Sequence, residues 1–210
     1  MLFSQAPSLE ILDLGQVSFS EADRHMMELV DEGAKPGSPD YLILGEFEPV
    51  ITVGRGAGTD GFQVPGLPVV PVSRGGKATF HGPGQVVVYP ILRLEKDVRD
   101  LHKYLHTLEQ ALILTVAEFG LTGSRDPRNT GCWVEGKKIA SIGIAVRRWV
   151  TYHGLALNIN TDLDWFKRFD PCGLSPEVMT SMQQQLGKAP KLSEVKEQLI
   201  RNLRQTLRHS

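Results

Sequence analysis

Apolar residues along this chain recur at two spacings. In FSEADRHMMELVDEG, Ala22, Met26, Leu29 and Val30 fall at helical intervals, with Ser20 as N-cap, Asp23 behind it and Gly33 as the stop. YLILGEF and PVITVGR are short and β-branched, as strands are. LPVVPVSRG and QVVVYPILRL read the same way and bracket a glycine-broken stretch, SRGGKATFHGPG, which is expected to form a hairpin connection or a loop at a sheet end. The strongest helical pattern is DVRDLHKYLHTLEQALILTVAEFG, with Leu101, Tyr104, Leu105, Leu108, Leu112 and Phe119 on one face and Gly120 as the stop. GCWVEGKKIASIGIAVRR and VTYHGLALNIN read as neighbouring strands joined at Arg147 to Trp149. In DPCGLSPEVMTSM, Ser175 as N-cap and Pro176 at the first helical position begin a short helix just after Cys172. SEVKEQLIRNLRQTL closes the chain as an amphipathic helix with Val195, Leu199, Leu203 and Leu207 inward. These elements predict an α+β fold, a mixed and largely antiparallel sheet covered by helices.

Composition narrows the partners rather than the fold. A chain of 210 residues with 41% hydrophobic side chains can bury a substantial core, and a single domain over 1–210 is the expectation. Its formal net charge of -1 lacks the basic excess of a nucleic-acid or anionic-membrane surface. Two cysteines are too few for a disulfide framework. No amino-terminal stretch reads as a signal peptide, and no apolar run approaches the roughly 20 residues of a membrane span. A reduced, cytoplasmic protein is expected.

The glycine-rich stretch first suggests a phosphate loop, because glycines let main-chain N–H groups converge on an anion that Arg74 and Lys77 could neutralise. The Walker spacing is absent, and VGRGAGTD puts Thr59 where a dinucleotide fingerprint needs its third glycine. His102 and His106 sit at i, i+4, but no Glu follows the first as in H-E-x-x-H, so a solvated helix face is the reading. Cys172, between Pro171 and Gly173 before a helix start, stands where a helix N-terminus favours a thiolate, although a small buried hydrophobe is the alternative. Cys132, between Gly131 and Trp133, fits the buried role. Of the adjacent lysines, strict alternation puts Lys138 with Ala140, Ile142, Ile144 and Val146 and Lys137 with Ser141 and Gly143. A lysine among bulky apolar groups loses solvation and exchanges its proton more readily.

RGGKATFHGPGQVVVYP resembles the signature segment of the lipoyl/octanoyl transferases: Arg74, Gly75, Gly76, Thr79, Phe80, His81, Gly82, Pro83, Gly84, Gln85 and Tyr89 fall on its pattern. PVITVGR, GKKIASIG with YHGLALNIN, and DPCGL followed by TSM agree in order, over about residues 40–182. The resemblance implies the fold of the biotin and lipoate protein ligases. It also implies transfer of an octanoyl group from acyl carrier protein to a lysine of a lipoyl domain, with 2-oxoacid dehydrogenase complexes and the glycine cleavage H protein as acceptors. No cofactor and no metal is implied. Cys172 matches the family's acyl-carrying cysteine and Lys138 its neighbouring lysine. Arg74, Gly75, Gly76, Lys77, Ala78, Thr79, Phe80 and His81, then Ser141, Ile142 and Gly143, then Gly154, Leu155 and Ala156 match the segments lining the acyl site. Backbone amides beside Cys172 or at Gly82 to Gly84 are candidates for an oxyanion hole. The chain departs from the family at Phe47 and Glu48, where a histidine is common, and at Cys132, which is usually apolar. The rival readings are an ATP-dependent lipoate or biotin ligase, which would leave Cys172 idle, and a non-catalytic lipoyl-domain or carrier-binding module.

Overall fold

A computed structural model describes residues 8–57, 63–96, 99–169 and 174–208 of the chain. In chain order these form β1 (Leu9–Val17), α1 (Phe19–Gly33), β2 (Asp40–Phe47), β3 (Val50–Val53), β4 (Val69–Pro71), β5 (Ala78–His81), β6 (Gln85–Ile91), α2 (Leu101–Glu118), β7 (Gly123–Ser124), β8 (Gly131–Val134), β9 (Lys137–Arg147), β10 (Val150–Asn158), α3 (Met182–Leu186) and α4 (Leu192–Arg208). Seven strands pair as β1-β2-β6-β10-β9-β8-β7, and a small sheet pairs as β4-β3-β5. Among the strand pairs of the described residues, β1–β2 and β3–β4 are parallel and the rest antiparallel. The mixed, largely antiparallel α+β class holds.

Period-two alternation divides the large sheet between two cores. Leu42, Leu44, Val86, Val88, Leu155 and Leu157 face α2 and α4, where Leu108, Leu112, Leu199 and Leu203 complete an aliphatic cluster. The alternate residues Ile43, Val87, Tyr89 and Ala156 face α1, whose Ala22, Met26 and Val30 are fully buried. The carboxyl-terminal helix buries Val195, Leu199, Leu203 and Leu207 as its spacing predicts. The small sheet has a third cluster, where Ile51, Val53, Ala78 and Phe80 pack on Phe166, Phe169 and Met179.

Several elements differ from the sequence expectation. β1 was not anticipated: LEILDLGQV is a half-exposed edge strand with charged residues in its apolar alternation. The α1 cap is Ser18 rather than Ser20, its side chain accepting from the Glu21 N–H at 3.3 Å; Ser18-x-x-Glu21 supplies the cap two residues earlier. Leu101, at the first position of α2, remains 38% exposed because the helix has only just begun to pack. The β9–β10 turn falls on Arg148 and Trp149, both at positive φ as a tight hairpin requires. The largest difference concerns the glycine-rich stretch. It contains a strand of its own, β5, which pairs antiparallel with β3 before the chain crosses into β6 of the large sheet.

Candidate active site

A cleft opens between the two sheets and the start of α1. One wall is the large sheet, with Tyr89 from β6, Ser141 and Gly143 from β9 and His153, Gly154 and Ala156 from β10. The other is the small sheet and its loops, with Thr52, Val72, Arg74, Gly76, Thr79 and His81. Phe19 and Asn129 complete the lining. Gly143 and Gly154 are directly paired across β9 and β10, leaving a stretch of wall with no side chains. A Cβ at Gly143 would stand 2.9 Å from Arg74 Cδ, and one at Gly154 would stand 2.3 Å from Val88 O, so both close approaches require glycine.

Arg74 is 7% exposed and turned onto its own surroundings. Its guanidinium donates to Gly75 O at 3.0 Å, Lys77 O at 2.9 Å, and Thr52 O and Oγ1 at 2.8 Å each. Those bonds tie the Arg74–Lys77 loop to β3, while the Gly75 N–H donates to Ile144 O on β9 at 2.9 Å. The loop is thus stapled to both sheets, and Arg74 shapes the wall rather than clamping an anion. Gly76, at φ +78, makes the turn.

Alternation along β5 sorts the signature residues. Thr79 and His81 face the cleft, whereas Ala78 and Phe80 face the small-sheet cluster, Phe80 stacked on Trp165 at 5.7 Å. Lys77 is exposed and lies outside the cleft lining. Ile142 and Leu155 pack their side chains into the aliphatic core on the far face, so they border the cleft through main chain. Gly84 N–H, a candidate oxyanion donor, is already given to Glu46 Oε2 at 2.9 Å. His153 has φ +54 within β10 and its N–H meets Met26 Sδ at 3.2 Å. Burial, and then the charges of Arg74 and His81, push its pKa down to about 3.

Lys138 is fully buried, which for a lysine demands partners. Its Nζ donates to Asn129 Oδ1 and, at 3.0 Å, to Thr130 O. The face predicted by strict alternation is corrected. The β8–β9 register slips between Cys132 and Trp133, so that Cys132 opposes Ala140 but Trp133 opposes Lys138. Ile139 is the extra residue of a β-bulge: it and Ala140 both enter the aliphatic core, and Lys138 is thrown to the opposite side. There its Cε lies 3.0 Å from where a Cβ of Gly131, the partner of Ser141, would stand. Lys138 thus shares the cleft face with Ser141 and Gly143, buried as expected but on the other side of the sheet.

Cys172 lies outside the described residues. The chain that follows it returns to Lys138: Met179 bridges Lys138 in parallel and Thr180 N–H donates to Lys138 O at 3.0 Å. Pro176–Val178 is a single 3-10 turn, and Ser175 makes no capping bond, so this element is too short to supply the helix field expected there. Cys132 is buried in the aliphatic core, and burial pushes its thiol up to about 12. His102 is exposed and His106 Nδ1 lies 3.1 Å from Glu109, which also receives Arg125.

Sequence reasoning missed Phe19, Thr52, Val72 and Asn129. Phe19 and Asn129 come from segments outside the matching blocks, whereas Thr52 lies within PVITVGR and Val72 just ahead of Arg74. Asn129 left a trace as a polar residue in the turn-rich DPRNTG just ahead of β8.

The model of the lipoyl protein ligase A/B catalytic domain matches residues 21–204. An octanoyltransferase of Geobacter metallireducens is 46% identical over 187 residues, covering 89% of this chain and 87% of its own. One from Rubrobacter xylanophilus is 44% identical, covering 92% and 90%. Among solved structures, a bi-partite lipoate protein ligase from Thermoplasma acidophilum superposes with a TM-score of 0.70 at 18% identity, covering 97% of this chain and 84% of the other. A biotin protein ligase from Aquifex aeolicus gives 0.56 at 13%, covering 97% and 69%. At such identities these two speak for the fold. The chain belongs to the lipoyl protein ligase A/B catalytic domain family, among the octanoyltransferases.

Proposed function

We propose that this protein transfers an octanoyl group from the thioester of an acyl carrier protein to a lysine of a lipoyl domain, through a thioester on Cys172. The observation that carries this reading is Lys138: a fully buried lysine whose Nζ donates to Asn129 of the cleft lining, with the chain seven residues beyond Cys172 bridged to it. In the first step Lys138 takes the proton from the Cys172 thiol, sulfur attacks the carrier thioester carbon, and the carrier thiolate leaves with a proton. In the second the acceptor amine attacks the Cys172 thioester, the amide forms, and the Cys172 sulfur departs as the thiol. One thioester replaces another, then an amide replaces a thioester, so neither step requires ATP. The cleft, lined largely by apolar groups and main chain, suits an acyl chain. Octanoyl carrier and lipoyl domains are the partners, and the cytoplasm the compartment, in this reading.

Mass spectrometry of the protein after incubation with octanoyl carrier tests it. The expected result is one added octanoyl group, absent in Cys172→Ser and discharged by a lipoyl domain without ATP. Product formed only with ATP and free acid would instead make the protein a ligase.

A further inference from the structure

One nitrogen of His81 is committed by a chain of fixed amides. Nδ1 lies 2.7 Å from Gln85 Oε1, while Gln85 Nε2 lies 3.2 Å from Phe80 O and 2.8 Å from Asn158 Oδ1. A main-chain carbonyl only accepts, so the amide group turned to Phe80 O is the NH2 and the group turned to His81 is the oxygen. Asn158 is oriented independently, because its Nδ2 donates to Thr180 O at 3.0 Å. Thr180 N–H in turn holds Lys138 O. Nδ1 must therefore carry the hydrogen, which in a neutral ring leaves Nε2 as an acceptor. His81, Gln85 and Asn158 are all more than nine-tenths buried, so water does not compete for these bonds.

Nε2 has no hydrogen-bond partner among the described residues, yet it is not one of the sealed, unsatisfied atoms of the structure. His81 lines the cleft, and Phe47 holds its ring edge-on at 5.6 Å. Burial first, and the Arg74 charge, outweigh the Gln85 bond and push its pKa down to about 4, so the lone pair persists at neutral pH. An acyl thioester brings no hydrogen to give to such an acceptor. An amine does.

We propose that His81 Nε2 receives the acceptor lysine, taking a hydrogen bond from one N–H of the neutral amine so that the nitrogen lone pair is left for the thioester carbon. Gln85 and Asn158 are positioning residues that hold His81 in the tautomer this needs. The inference rests on the octanoyl-transfer reading and assigns His81 to its second half only.

The two halves can be timed separately, loading by mass spectrometry and transfer by mixing the isolated acyl-enzyme with a lipoyl domain. His81→Asn keeps a donor for Gln85 but removes Nε2. Transfer should slow roughly ten- to hundredfold more than loading does, the cost of a misplaced reactant. Nitrogen-15 NMR of the wild-type ring should show hydrogen on Nδ1 and none on Nε2 at pH 7, with Gln85→Leu mixing the tautomers and slowing transfer alone. An Nε2–H tautomer in the wild type overturns the proposal, as does a His81→Asn enzyme that transfers at the wild-type rate or loses both steps equally. If His81→Asn does not fold, Gln85→Leu and the wild-type spectrum decide. A wild-type protein that never loads octanoyl overturns the functional reading itself, which the His81 outcomes cannot do.

Discussion

β6 gives Val86 and Val88 to the face of the large sheet under α2 and α4, and Val87 and Tyr89 to the face under α1 and the small sheet. β9 and β10 are divided the same way, yet the faces serve different ends. Under α2 and α4 the strands carry aliphatic side chains in step and make a dry core. On the other face the regularity is broken three times: by the bulge at Ile139, by His153 at φ +54, and by the Gly143–Gly154 pair. Each break re-aims or removes a side chain, and around them sit Lys138, His153 and the Arg74 loop. The same strands thus hold a core on one side and a site on the other, and it is departures from the strand repeat that mark the site.

The contrast breaks most sharply when one residue is changed on each face. Lys138→Met should lower single-turnover loading by roughly 100- to 10,000-fold, the range of a lost general base. It should cost little stability, because Met fills much of the same volume and Asn129, in the cleft lining, can be hydrated in its place. Leu199→Ala, in the aliphatic core, should do the reverse: a loss of about 2–5 kcal/mol in denaturant unfolding with turnover per folded molecule unchanged. A Lys138→Met protein that loads normally, or that unfolds as readily as Leu199→Ala, would remove the distinction.

Acid and base also separate the faces. On the site side His81 and His153 are pushed down to about 4 and about 3, by burial above all. The unfolded chain takes up these protons as pH falls below the ordinary 6.5, before the fold does, so stability is lost as pH drops from about 6.5 toward 4. Asp40 precedes Leu42 and Leu44 on the core side, and burial pushes its carboxyl up to about 7. Between 3.8 and about 7 only the unfolded chain releases that proton, so this contribution is lost as pH rises through the same interval. Asp40→Asn keeps an oxygen for the Arg93 N–H, which donates at 3.1 Å. At roughly 1.4 kcal/mol per pH unit, the variant should gain a few kcal/mol at pH 8, fading toward pH 4 and leaving the histidine-driven acid loss in place. Unfolding curves from pH 4 to 8 that show a pH-independent difference would sink the assignment of Asp40.

Core and site were not equally legible in the sequence. The faces of α2 and α4 could be read because apolar residues at helical spacing have one burial solution, and Tyr104, Leu108, Leu112 and Leu199 all take it. The signature segment announced Arg74, Thr79 and His81, but not that ATFH is a strand, since glycine and proline on both sides read as a loop. Lys138 was recognisable as a buried lysine and misplaced by one face, because nothing in GKKIASIG marks the bulge. Phe19, Thr52 and Asn129 could not be assigned to the cleft, although Thr52 lies within PVITVGR and Asn129 in a turn-rich stretch, because only tertiary packing brings their three segments together.

The smallest expected effect concerns the thiol on the core side. Cys132 Sγ is packed among aliphatic groups, 3.1 Å from where a Cβ of Gly123 would stand, and burial raises its pKa to about 12. With so little thiolate and no access, it should be inert to alkylating reagents in the folded protein. The chain has two cysteines, so a Cys172→Ser background leaves Cys132 as the single thiol to titrate. It should react only on unfolding, at a rate set by the unfolding equilibrium. Cys132→Ala should cost on the order of 1 kcal/mol and leave octanoyl loading unchanged, because the sulfur fills space and carries no charge. Native alkylation of Cys132, or loading that falls in Cys132→Ala, would mean that the core side reaches the chemistry after all, and the separation of the two faces would have to be redrawn.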